Sequence, residues 1–391
     1  MPSHPLSIDS LCAGMDIPEW VRDFRHAAGG KVVFGPGKLE ALGEEAARLG
    51  VSRALIVTDP GLSRTGFVQR ACQSLSASGL ESAVFAEVHE NPTTEDVERC
   101  VAFARATEVD LIVGLGGGSS LDTAKGCNFI LTNGGRMQDY WGVGKAPREM
   151  LPFIAVPTTS GTGSECQSFA LIADAETHAK MACGDEKCAA VVSILDPELT
   201  VTMPVAVTAH TGIDAIAHAL ETAVSNKRSE VSSAYSHAAW RLLEAGLERV
   251  LAEPRDLEAR SLMQLGAAFA GTAIENSMLG IVHSCANPLT AHYGIVHGQA
   301  VGTMLPHVIA FNASDSAAAG IYSHLGPGRD LVERVRVLLR ACSMDLPLRE
   351  LGVEEIMLPR LAEEAAAQWT ARFNPVPVDA GQIEQVYRAA W

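Results

Sequence analysis

Residues 110–125, DLIVGLGGGSSLDTAK, decide the fold. An apolar stretch of strand length runs into three consecutive glycines and then into a sequence that reads as a helix. Glycines let a backbone approach a phosphate closely, and the free N–H groups of a helix start attract its charge. Gly116, Gly117, Gly118 and Ser119 are therefore candidates to cradle a diphosphate. The spacing is not GxGxxG, because Ser119 stands where the third glycine would be. A turn between strand and helix is also often glycine-rich for steric reasons, so this loop alone leaves both readings open.

Working outward, the first half alternates short β-branched runs with helical patterns. Candidate strands lie at 31–34, 54–58, 83–86, 111–114 and 153–156, with helical stretches at 38–49, 67–78 and 94–106. Short strands separated by longer helices predict βαβ units and a parallel sheet. A second loop, VPTTSGTGSE at 156–165, follows another of these strands and offers several hydroxyls beside Gly161 and Gly163. Its plainer reading is a helix N-terminus capped by Thr162 or Ser164. Two such loops at the carboxyl ends of parallel strands sit where open α/β sheets bind nucleotides. Asp59 ends the strand ALIVTD. It can accept hydrogen bonds from ribose hydroxyls and repel a 2′-phosphate, favouring NAD over NADP, or it can simply open the turn at Pro60-Gly61.

Beyond about residue 200 the texture changes. Stretches 209–224, 230–251, 257–277 and 329–342 carry helical periodicity with alanine-rich faces, and no comparable strand runs occur. The segment DPELTVTMP at 196–204 is the expected joint, with Thr208 or Thr211 capping the next helix. A chain of 391 residues is long for one core. The expected organisation is an α/β dinucleotide-binding domain over 1–203 and a helical metal-binding domain over 204–391.

Composition narrows the function. A hydrophobic share of 47% with 19% charged residues is that of a globular protein. The formal net charge of -16 argues against nucleic acid or an anionic membrane as partner, because phosphates would be repelled. No apolar run reaches the length of a membrane span, and the N-terminus lacks a basic start followed by an apolar block, so no signal peptide is expected. The 9 cysteines are scattered without a CxxC pair, which reads as reduced thiols in the cytoplasm.

Several of the 12 histidines cluster in the helical half. His210, Asp214 and His218 are four apart, so a helix places them on one face, and the text around them is otherwise apolar. A carboxylate and an imidazole buried there need a partner. A metal ion is one; a plain hydrogen-bonded pair is another. His283 and His297 follow in GIVHSCANPLTAHYGIVHGQA, with His292 between them. One carboxylate with three imidazoles suits a borderline divalent ion, iron(II) or zinc.

Taken together, these segments resemble the iron-containing (group III) alcohol dehydrogenase family. The match runs through KVVFGPGKLEALG, ALIVTD, the NPT beginning at Asn91, GLGGGSSLDTAK, PTTSGTGSE, ILDPELT, TGIDAIAHALE, MLGIVH, HGQAVGTMLPHV and the terminal NPVPVDAGQIEQVYRAAW. The resemblance implies a dehydroquinate synthase-like fold, with cofactor and metal held in a cleft between an α/β and an all-helical domain. It implies metal ligation by Asp214, His218, His283 and His297. For NAD it implies contacts from Asp59, Asn91, Gly116, Gly117, Gly118, Ser119, Asp122, Thr158, Thr159, Thr162 and Lys180. It also implies a small alcohol or aldehyde substrate and a homodimer.

One departure stands out. Many members carry HxxxHP, whose second histidine is implicated in moving the hydroxyl proton; here Asn287 occupies that place, and an amide is no acid or base. The proton then leaves through water and cofactor hydroxyls, or another group such as His292 substitutes. Ile274 replaces a bulkier aromatic often found near the substrate. A zinc- and NAD-dependent cyclase or lyase of the dehydroquinate synthase type, and a non-catalytic relative that kept the fold, are the alternatives.

Overall fold

The computed structural model describes residues 6–28, 30–328 and 330–391. Residues 1–5, at the start of the segment read for a leader, lie outside it, as do Gly29 and Arg329, the first residue of the helix expected at 329–342. Two compact units emerge. The first holds the described residues up to Ala13 together with Ala27–Met203; the second holds Gly14–His26 and Pro204–Trp391. The expected contiguous first domain is therefore interrupted by 14–26. The reason is apolar packing: Val21 and Phe24 are buried, the Phe24 ring lies 4.8 Å from Phe269, and Trp20 meets Tyr235 edge-on.

Among the described residues the first unit has nine strands: β1 (Lys31–Phe34), β2 (Arg53–Val57), β3 (Glu81–Phe85), β4 (Leu111–Gly116), β5 (Gly142–Val143), β6 (Phe153–Pro157), β7 (Phe169–Ala173), β8 (Lys180–Gly184) and β9 (Val192–Leu195). Six of them form a sheet in the order β1-β9-β6-β4-β2-β3, parallel at every pairing. The longer helices are α1 (Leu42–Arg48), α2 (Phe67–Ala77), α3 (Thr94–Thr107) and α4 (Gly118–Asn133). Both sheet faces are covered, which is why these strands read as continuous apolar runs. Along β2, Ala54 and Ile56 join one buried cluster while Leu55 and Val57 join the other; β4 divides the same way, Val113 and Leu115 against Ile112. Each of the valines, leucines and isoleucines among them contributes roughly 1.5–3 kcal/mol by leaving water. A small second sheet, absent from the sequence reading, sets β5 parallel and β7 antiparallel to β8.

The chain passes from β2 outward to β3 and returns on the other side of β2 as β4. Strand order thus reverses between β2 and β4, and the carboxyl ends of such a pair are where open α/β sheets admit ligands.

Among the described residues the second unit has no strand. Its longer helices are α5 (Val205–Val224), α6 (Glu230–Ala252), α7 (Leu257–Glu275), α8 (Ile281–Tyr293), α9 (His297–Asn312), α10 (Ser316–Leu325), α11 (Leu331–Ala341), α12 (Leu358–Ala367) and α13 (Ala380–Ala390). Neither Thr208 nor Thr211 caps α5, contrary to expectation. The helix starts earlier because Pro204 sets the entry angle, and Thr211 donates back to the Val207 carbonyl from inside the helix. Small residues let α5, α6 and α7 approach closely: a Cβ on Gly212 would lie 2.8 Å from Leu247 Cδ1 and 3.0 Å from Met263 Cε.

Candidate metal centre and cofactor loops

Helix α5 carries Asp214, His218 and Glu221 on one buried face, while His283 sits in the first turn of α8 and His297 opens α9. Three imidazoles converge on a single carboxylate oxygen. From Asp214 Oδ1 to Nε2 the distances are 3.5 Å for His218, 3.3 Å for His283 and 3.7 Å for His297. Donors bound at about 2.1 Å around one ion in a tetrahedral set stand about 3.4 Å apart, so this spacing fits a shared cation. One atom each from Asp214, His283 and His297 lies within 4.8 Å of the others. His218 lies outside that group of three, although its Nε2 is 3.5 Å from Asp214 Oδ1 and its ring stacks on His283 with centroids 4.8 Å apart.

Glu221 was not singled out from the sequence, although an acidic residue seven positions after Asp214 on the same apolar helix face is a readable signal. Its carboxylate accepts the Nδ1 proton of His283 and the N–H groups of Gly280 and Val282. That fixes the tautomer of His283 with Nε2 free to ligate. Burial opposes a charge on Asp214, yet the surrounding imidazoles hold its carboxyl well below the usual carboxylate range. Burial likewise opposes a charge on His283, but Glu221 and Asp214 outweigh it and lift the imidazole to about 9. Without an ion, a proton on His283 partly offsets the two buried carboxylates; a divalent cation at Nε2 would displace that proton and supply the positive charge instead. The residues therefore fit iron(II) or zinc. His297 is the most exposed of the set, its side chain 29% accessible, so the approach from solvent lies on its side.

Asn287 lies one helical turn beyond His283, half-buried, with Nδ2 donating to Gln368 Oε1 at 3.3 Å. His292 does not take over the proton role considered for it. Nine residues past His283 on the same helix is about 14 Å along the axis and the opposite face, and there its Nε2 pairs with Glu364 at 2.7 Å.

In the first unit, the glycine loop runs from the end of β4 into α4. Gly116 has φ +158 and Gly117 is extended. The second loop lies against it: a Cβ on Gly118 would lie 2.7 Å from Thr162 Cγ2, and one on Gly117 3.1 Å from Thr159 Cγ2. Thr158 donates its N–H to the Gly116 carbonyl at 3.0 Å, and Ser119 stays half-buried at the helix start. No side chain caps the short 3-10 turn Ser164–Cys166 that ends this second loop; Gly163 opens it in a left-handed conformation. Asp59 follows β2, and its Oδ1 accepts the N–H groups of Gly61 and Leu62 at 2.8 and 3.0 Å, so the turn reading holds and the carboxylate is fixed in place. Asn91 is exposed in the loop after β3, with φ 52. Asp122 turns toward the second loop, where Ser164 Oγ donates to it at 2.9 Å, and burial pushes its carboxyl up. Lys180 is exposed at the start of β8, close enough to Asp122 to oppose that rise.

Comparison with known proteins agrees with this fold. The family described as "Iron-containing alcohol dehydrogenase" matches residues 29–197, and "Fe-containing alcohol dehydrogenase family, C-terminal" matches 208–391. The NAD-dependent methanol dehydrogenase of Bacillus methanolicus is 34% identical over 370 residues, covering 92% of this chain and 97% of the relative. The 1,3-propanediol dehydrogenase of Klebsiella pneumoniae is 34% identical over 372 residues, covering 92% and 96%. Among solved structures, a 1,3-propanediol oxidoreductase superposes with a TM-score of 0.90 at 32% identity, covering 94% of this chain and 99% of that one. An alcohol dehydrogenase from Oenococcus oeni gives 0.88 at 29% identity, covering 92% and 98%. The chain belongs to the iron-containing alcohol dehydrogenase family.

Proposed function

We propose that the chain is a metal-dependent, NAD(H)-linked alcohol dehydrogenase or aldehyde reductase. The observation that carries this reading is the convergence of His218, His283 and His297 on one oxygen of Asp214, with Glu221 behind His283. When bound, iron(II) or zinc supplies Lewis acidity toward an alcohol or aldehyde oxygen, and NAD supplies the hydride acceptor. Asp214 and the three imidazoles hold the ion; Glu221 keeps His283 in the ligating tautomer. Gly116, Gly117, Gly118 and Ser119 present backbone N–H groups to the diphosphate, with Thr158, Thr159 and Thr162 beside them. Asp59 and Asn91 stand on the adenosine side, Asp59 disfavouring a 2′-phosphate, while Asp122 and Lys180 flank the second loop. Asn287 carries no titratable proton and so would take no part in moving the hydroxyl proton.

Relatives named as alcohol, methanol and propanediol dehydrogenases favour this over a cyclase of the dehydroquinate synthase type. We also place the chain in the cytoplasm as a homodimer. The first rests on nine free cysteines, the second on the family resemblance, and light scattering of the purified protein checks it. No helix among the described residues is long and apolar enough to cross a membrane. The function is tested with a panel of small aldehydes and NADH on protein freed of metal and reloaded with iron(II) or zinc. Net NADH consumption that depends on the ion is expected; a cyclase would regenerate its cofactor, and a non-catalytic relative would turn over nothing.

A further inference from the structure

Lys125 ends the segment DLIVGLGGGSSLDTAK and is none of the cofactor contacts proposed above. Its side chain is wholly buried. From α4, the helix that starts with the glycine loop, it reaches across to the second loop. There Nζ lies 2.7 Å from the Ser164 carbonyl, 2.9 Å from Ser164 Oγ, 2.8 Å from the Gln167 carbonyl and 2.9 Å from the Phe169 carbonyl. An ammonium has three protons, so these four acceptors saturate it, one bond being shared. A buried ammonium left unpaired would be costly, and its only recourse is to keep this loop gathered around it.

The same helix makes a second tie. Asp122, one turn earlier, accepts from Ser164 Oγ at 2.9 Å, so Ser164 is held by both charged side chains. The two loops meet where Gly118 faces Thr162 with no room for a Cβ. Sliding either loop by even part of an ångström would close or open that contact. Two features fix their spacing: β4 and β6 pair side by side, and Lys125 clasps the far end of the second loop.

We infer that Lys125 is a positioning residue for cofactor binding, whose ammonium gathers the 157–169 loop against α4 and so sets the spacing of the two loops. The inference rests on the proposed cofactor role of those loops. Its chemistry predicts a selective effect: cofactor affinity depends on Lys125, whereas the metal centre, built entirely in the second unit, does not.

The test uses the metal-loaded protein, with NADH binding followed by fluorescence titration or calorimetry, alongside metal content, thermal unfolding, KM for NADH and kcat at saturating NADH. Lys125→Met keeps the length of the side chain and removes its donors. A rise of about tenfold to a hundredfold in Kd and KM for NADH is expected, with kcat within about threefold and the ion retained. Lys125→Arg tests shape as well as charge, since a guanidinium cannot meet four acceptors arranged around one nitrogen; it should restore only part of the affinity. Should Lys125→Met fail to fold, Ser164→Ala decides, because it removes the Oγ held by both Lys125 and Asp122 while sparing the backbone acceptors; a severalfold weaker Kd is expected. Unchanged NADH affinity in a folded Lys125→Met, or in Ser164→Ala, overturns the inference. If the unsubstituted protein itself binds no NADH, the proposed function fails instead, so the two failures are distinguishable.

Discussion

Glu221 Oε2 accepts the Nδ1 proton of His283, while its Oε1 takes the backbone N–H groups of Gly280 and Val282 at 3.0 and 2.8 Å. One carboxylate thus joins α5 to the start of α8 and aims His283 Nε2 at Asp214. Glu221→Gln keeps the shape but turns an N–H₂ toward Nδ1, favouring the tautomer that carries its proton on Nε2 and cannot ligate. Metal affinity should fall about tenfold to a hundredfold. Competition with a chromogenic chelator measures it, and unchanged affinity would remove Glu221 from the design.

Asp59 combines two jobs that a substitution can separate. Its Oδ1 holds the turn through Gly61 and Leu62. Asp59→Asn retains an acceptor for that turn and removes the charge that would face a 2′-phosphate. The ratio of kcat/KM for NADPH to that for NADH should rise by about tenfold or more, since like-charge juxtaposition costs on the order of a few kcal/mol. A constant ratio would leave Asp59 as a turn residue only.

Glu165 gives a pH signature. It is buried, and burial lifts its carboxyl from 4.5 to about 7, against the pull of its own backbone N–H and of Lys125. A carboxyl raised in the folded state binds its proton more tightly there than in the unfolded chain. Stability of the first unit should therefore fall as pH climbs from about 4.5 to 7 and then level off, by roughly 3 kcal/mol in total. Glu165→Gln removes the titration, so the variant should be more stable than the parent at pH 8 and lose that advantage near pH 5. Parallel unfolding curves of the two proteins across that window would contradict the assignment.

Asn287 occupies a half-buried position one turn from His283. Asn287→His introduces a titrating imidazole of ordinary pKa about 6.5 where the amide has none. The pH profile of kcat should gain an inflection in that region, measured at saturating NADH and aldehyde. An unaltered profile would mean that the position does not communicate with the reacting oxygen.

The elements that were legible in the sequence are those with one strong periodic signal. β2, β4 and β6 are unbroken apolar runs buried on both faces, and α5 repeats alanine between its polar residues. The hairpin of β7 and β8 escaped because FALIA and KMACG are only five residues each and rich in small residues. Helices α8 and α9 were hidden by Pro288 and Pro306 inside them and by the glycines around them. Tertiary choices left no local trace: 14–26 join the second unit through Trp20, Val21 and Phe24. Asp214 and His218 were readable as sharing one helix face, but their approach to His283 and His297 depends on the packing of three helices. Asp122 and Lys125 stood in plain view within a recognised motif, yet only the geometry shows that they face the second loop.

X-ray absorption at the metal edge of iron- or zinc-reloaded protein tests the centre most directly. A first shell of nitrogen and oxygen donors near about 2.1 Å, with outer-shell scattering from three imidazoles that drops to two in His283→Ala, is the expected result. A spectrum without imidazole scattering, or one that His283→Ala leaves unchanged, would contradict a cation held by Asp214, His218, His283 and His297.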